Sequence, residues 1–86
     1  MAGVEEVRAG IALAKDKVSA GIAALQQAVM AFEEAQQTLS HATSGSNQPE
    51  VGQSLGMLAE AIQSVSSTQS TAEGAISSAE SYAARL

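Results

Sequence analysis

Two heptad ladders, one in each half of the chain and separated by a single short break, constrain this sequence more than any other feature. In the first half, apolar or small residues fall at Val4, Val7, Ile11, Ala14, Val18, Gly21, Leu25, Ala28, Phe32, Ala35, Leu39 and Ala42. In the second half the same three-four alternation gives Val51, Leu55, Leu58, Ile62, Val65, Gln69, Ala72, Ile76, Ala79, Ala83 and Leu86, with Gln69 as the polar exception. Such a step keeps one seam of a helix turned toward a partner helix. The expected fold class is therefore all-α: an antiparallel two-helix hairpin that pairs into a four-helix bundle.

The break is written in turn and capping residues. Helix one is expected over about 4–42, the turn over about 43–48 and helix two over about 49–85, all as a single domain. Thr43, Ser44 and Gly45 begin the turn, with Gly45 suited to a left-handed position just past a helix end. Asn47 is the expected cap of helix two, with Glu50 three residues on to complete a capping box. Pro49 falls in that first turn, where its missing N–H costs nothing. At about 1.5 Å per residue the rods are of order 50–60 Å long. Folding about the turn sets Leu39 beside Leu55, Phe32 beside Ile62, Leu25 beside Gln69 and Val18 beside Ile76. The Ser/Thr-rich stretch 64–71 reads first as a solvated helix face; its weak helix propensity also makes it the place where bending or fraying would occur.

Two helices alone leave each seam half wet, and apolar residues also lie off the ladders. Ile22 and Val29 sit one position beyond the seam of helix one, with Leu13 and Met30 widening that surface; Met57 and Tyr82 do the same on helix two. This breadth exceeds what a two-helix seam needs. It predicts that a second hairpin docks on the stripe formed by Leu13, Ile22, Val29, Met30, Met57 and Tyr82. The partner is a second copy or a related hairpin. Gln69 either fixes register within the seam or turns its amide to water.

Chemistry is sparse. The only histidine is His41 and there is no cysteine, so neither a zinc site nor a nucleophilic triad can be assembled. The adjacent carboxylates Glu5-Glu6 and Glu33-Glu34 point about 100° apart on a helix and do not converge. The Glu-x-x-His spacing of di-metal bundles is absent. Gly52 and Gly56 read as close contact points near the turn. No enzyme, cofactor, metal or small-molecule substrate is expected. The net charge of −5, with Arg8, Lys15, Lys17 and Arg85 the only cations, argues against nucleic acid. No apolar run approaches the roughly 20 residues of a membrane span. The acidic start, Met1-Ala2-Gly3-Val4-Glu5-Glu6, is unlike a Sec-type signal. The expected location is the cytoplasm, with export by a leaderless route left open.

In its layout the chain resembles the Trp-Xaa-Gly (early-secreted-antigen-like) helical hairpins of bacterial type VII secretion systems. The likeness spans the whole chain: length, acidic Ala/Ser/Gln-rich composition and a mid-chain turn at Thr43-Ser44-Gly45. Gly45 matches the family glycine and Thr43 stands at the tryptophan position. Near the end of helix two the family has a tyrosine followed four residues later by an acid; here Tyr82 is followed by Leu86. The resemblance implies hairpins that dimerise into four-helix bundles and travel as leaderless substrates or partners. The alternative is a cytoplasmic scaffold or regulatory adaptor that binds another protein through its apolar seam.

Overall fold

A computed structural model describes residues 3–86. It is an all-α hairpin of two helices, α1 (Val4–Ala42) and α2 (Pro49–Ala84), packed against each other along their length. The molecule measures 64 × 17 × 16 Å. Its radius of gyration of 19.4 Å far exceeds the roughly 12 Å of a compact domain of this length. Met1 and Ala2, on which the reading of the amino-terminal start partly rests, lie outside the described residues.

The ends of both helices have local causes. Gly3 is the N-cap of α1 and offers no side-chain cap, but Glu5 and Glu6 lie in the first turn, where the helix dipole favours negative charge. Thr43 closes the other end: its backbone N–H and its hydroxyl both donate to the Leu39 carbonyl, at 3.0 and 2.6 Å. A tight turn follows, with the Ser46 N–H donating to the Thr43 carbonyl. Gly45, at φ +84°, supplies the left-handed residue inside it.

The expected cap at Asn47 is corrected. Gln48 is the N-cap of α2, in extended conformation at φ −69° and ψ 133°, and no side chain caps the helix. Pro49 is the reason. Its ring disfavours helical backbone at the preceding residue, so the helix begins at the proline and leaves Asn47 outside. The capping box with Glu50 does not form, although Glu50 still lies in the first turn of α2. Residues 64–71 continue the helix without a break as a largely exposed Ser/Thr face, and Thr68 and Thr71 donate their hydroxyls to the carbonyls of Ser64 and Ser67, at 2.9 and 3.0 Å.

In α2 the half-buried residues are Val51, Leu55, Leu58, Ala61, Ile62, Val65, Gln69, Ala72, Ile76, Ala79 and Ala83. These are the ladder positions as far as Ala83, with Ala61 at the margin. In α1 the seam departs from the expected ladder. Val7, Ile11, Val18, Leu25, Phe32 and Leu39 hold their places, but Ala14, Gly21, Ala35 and Ala42 are exposed. Ile22, Gln36 and Thr43 are half-buried in place of Gly21, Ala35 and Ala42, and Val29 is half-buried together with Ala28. Each lies one position beyond the small-residue row. Turning the helix slightly toward them brings Ile22 and Val29 to the contact, with larger apolar surface than Gly21 and Ala28 offer, which favours that orientation. Gly52 and Gly56 are likewise not contact points: a methyl group at either would meet nothing within 4 Å.

Candidate functional site

With the seam positions known, each helix has two flanks, reached by stepping one residue back or one residue forward from every seam residue. One step is about 100° around the helix. The two forward flanks lie on the same broad side of the hairpin. There Lys15 Nζ meets the Glu80 carboxylate at 3.0 Å, and a shallow groove is lined by Gln26 and Val29 from α1 and by Ile62, Ser66 and Gln69 from α2. The same side carries Glu33, Glu73 and Glu80. Arg8 and Lys15 lie on it as well, so its charges nearly balance.

The backward flanks form the opposite side. From α1 it presents Glu6, Gly10, Lys17, Gly21, Ala24, Ala28, Ala31, Ala35, Thr38 and Ala42. From α2 it presents Glu50, Ser54, Met57, Ala61, Ser64, Thr68, Thr71, Ala75, Ser78, Tyr82 and Arg85. Its acids are Glu6 and Glu50, and its cations are Lys17 and Arg85. Met57 and Tyr82 stand out from it at 62% and 47% exposure. The residues that line this side are mostly Ala, Ser and Thr and were not singled out by their own chemistry.

The structure distributes the predicted stripe over several surfaces. Ile22 and Val29 are half-buried between α1 and α2. Met30 flanks the seam on the forward side, and Leu13 lies opposite the seam on the back of α1; both are exposed, at 54% and 58%. Met57 and Tyr82 share the backward side. The seam rotation in α1 explains the split, because it turns Ile22 and Val29 inward and carries Met30 toward the forward flank.

No family model, no curated protein and no solved structure matches this chain.

The polar residues fall into place around this frame. Gln69 is half-buried in the seam, and its amide donates along the helix to the Glu73 carboxylate at 3.2 Å. It thus leans toward the flank that carries Glu73. Gln36, which entered the seam unexpectedly, reaches across to the Leu55 carbonyl at 3.5 Å. His41 is exposed and lies along a wide groove beside the turn, near Gln37, Ser40 and Leu55. Glu5, Glu6, Glu33 and Glu34 are exposed, and no group of His, Asp and Glu among the described residues comes together in a metal-holding cluster. No helix of the described residues is long and apolar enough to cross a membrane.

Proposed function

We propose that this chain is a non-enzymatic helical-hairpin module that works by pairing with a second helical hairpin, its own copy or a relative, to complete a four-helix bundle. One observation carries the reading. Not a single described residue is buried, although large apolar side chains line the whole seam. The chain exposes 6191 Å², against about 4,700 Å² for a compact monomer of its mass. The excess, about 1,500 Å², is of the size that one protomer contributes to a large symmetric interface. Covering one side of the hairpin converts a half-wet seam into a four-helix core.

The setting we propose is a type VII-like secretion system, with the chain as a small substrate or partner. Support comes from the long matched helices, Val4–Ala42 and Pro49–Ala84, on either side of a Thr43-Ser44-Gly45 turn, together with the acidic composition. Sedimentation equilibrium at micromolar concentration tests the pairing. A mass twice that of the chain, or a stoichiometric complex with a co-expressed hairpin, is expected. A cooperatively folded monomer alone and with such a partner overturns it. For the setting, the tagged chain should reach the medium of a host that carries such a system and be retained when its ATPase is deleted. Retention in both strains favours the adaptor reading.

A further inference from the structure

The seam is uneven along its length. Beside the turn, α2 brings Val51, Leu55, Leu58, Ile62 and Val65 to the contact, and α1 answers with Leu25, Val29, Phe32 and Leu39. Toward the open end, α2 continues the seam with Gln69, Ala72, Ile76, Ala79 and Ala83. Ile76 is the only aliphatic residue larger than alanine between residues 66 and 84. The first helix is not depleted in the same way. A groove lined by Ile11, Lys15, Glu80 and Ala83 sets the level of the two helices at this end, and Ile11, Val18 and Ile22 are half-buried along it. Apart from Ile76, every large seam residue of this stretch belongs to α1.

Local support for α2 falls at the same place. Residues 70–84 include Ser70, Thr71, Gly74, Ser77, Ser78 and Ser81, all weaker helix formers than alanine. A methyl group at Gly74 would meet nothing within 4 Å, so no close packing requires that glycine. Gln69 marks the boundary, because its amide donates to Glu73 of its own helix instead of crossing to α1. Around it Thr68 and Thr71 donate back to the carbonyls of Ser64 and Ser67, a bonding pattern that slightly weakens and bends helices. The polar link that does cross at this end is the ion pair of Lys15 and Glu80, 3.0 Å apart, with both side chains about half exposed. At the other end the short turn already holds the helices together, so their pairing costs little chain entropy there.

We infer that residues 70–84 form a detachable strap, latched by Lys15 and Glu80, which comes away from α1 as a unit while the turn half of the hairpin stays closed. Its release uncovers Ile11, Val18 and Ile22. An isolated helix of this length is marginal in water even when built from strong helix formers, so the released strap unwinds. The first helix persists, because it runs without interruption into the part that Phe32 and Leu39 hold against α2. Such an opening is local unfolding, with a free energy below that of the whole hairpin. Ionic strength tunes it, since salt screens an exposed pair. Strap release belongs to a single hairpin and is independent of the pairing proposed above.

Hydrogen exchange of the full native chain, resolved to short segments, tests the strap. Amides of residues 70–80, a span that leaves out ordinary fraying of the last turn, should exchange roughly tenfold or more faster than those of residues 55–65. Ile62→Val, whose contact survives strap release, should speed exchange at 55–65 by roughly threefold and leave 70–80 unchanged. Glu80→Gln should speed exchange at 70–80 by up to about threefold at low salt and have no effect at high salt. Equal protection of the two segments overturns the strap. So does an Ile62→Val change that moves both segments by the same factor, which is the mark of one cooperative unit. Graded exchange in a chain that sediments as a folded monomer removes the pairing and keeps the strap; uniform exchange in a dimer does the reverse.

Discussion

The two helices obey different rules although they share one seam. In α2 the ladder is filled with contact residues at nearly every step, and the half-buried positions follow it from Val51 to Ala83. In α1 the second row of the ladder is Ala14, Gly21, Ala28, Ala35 and Ala42, and α1 turns away from most of it. A heptad spacing is necessary for a seam, but the apolar area at each position decides which residues the helix finally presents. Ile22 and Val29 bring more of that area than their small neighbours, so they draw the contact toward themselves. The price in α1 is a half-buried Gln36, whose amide finds the Leu55 carbonyl.

This comparison can be broken most decisively at the largest side chain of the α1 seam. Phe32→Ala should lower hairpin stability by about 2 kcal/mol, less than the 3–5 of a fully buried phenylalanine, because Phe32 is only half-buried. A chemical denaturation midpoint equal to that of the native chain would remove Phe32 from the seam. Ile22→Ala should cost about 1–2 kcal/mol, while Ala14→Ser, in the exposed row, should stay within about 0.5 kcal/mol. Equal costs in the two rows would contradict the rotation of α1.

Smaller effects sharpen the picture of α2. Gln69→Leu should stabilise the hairpin by about 1 kcal/mol, since it adds apolar contact opposite α1 and gives up only an exposed bond to Glu73. A lower melting temperature would mean that the amide secures the register. Gly74→Ala should stabilise α2 by about 0.5–1 kcal/mol, as the added methyl meets nothing within 4 Å and mid-helix glycine is unfavourable. The smallest change is expected at the cross-helix ion pair: Lys15→Ala should cost less than about 1 kcal/mol, and the loss should shrink at high salt. A cost that is large and independent of salt would reveal packing by the lysine stem rather than charge.

Much of the hairpin was legible because its cues are local or periodic. Gly45 marked a left-handed turn, Pro49 marked the start of α2, and the three-four step marked the seam. The cap was misread because Asn47 and Glu50 match a familiar spacing, whereas the proline at position 49 restricts the residue immediately before it. Residues 64–71 have weak helix propensity but read as a solvated helix face. In the structure they are held by the continuing seam at Val65 and Gln69, and the threonine hydroxyls fold back onto the helix. The candidate surface was the least legible part. Leu13, Met30, Met57 and Tyr82 stand out in the sequence by size, yet size does not tell which side of the hairpin each occupies.

What the sequence alone determined is the hairpin: two long amphipathic helices, the turn between them and the contact ladder of α2, all of which depend on periodicity and on backbone preferences of single residues. Only the tertiary structure decided how far α1 turns about its axis. That rotation is a competition between neighbouring rows of one helix for the same partner surface, and it has no local signature. Once it is known, every flank is defined relative to the seam: Ile22 and Val29 face α2, Met30 falls on one long side of the hairpin, and Met57 and Tyr82 fall on the other.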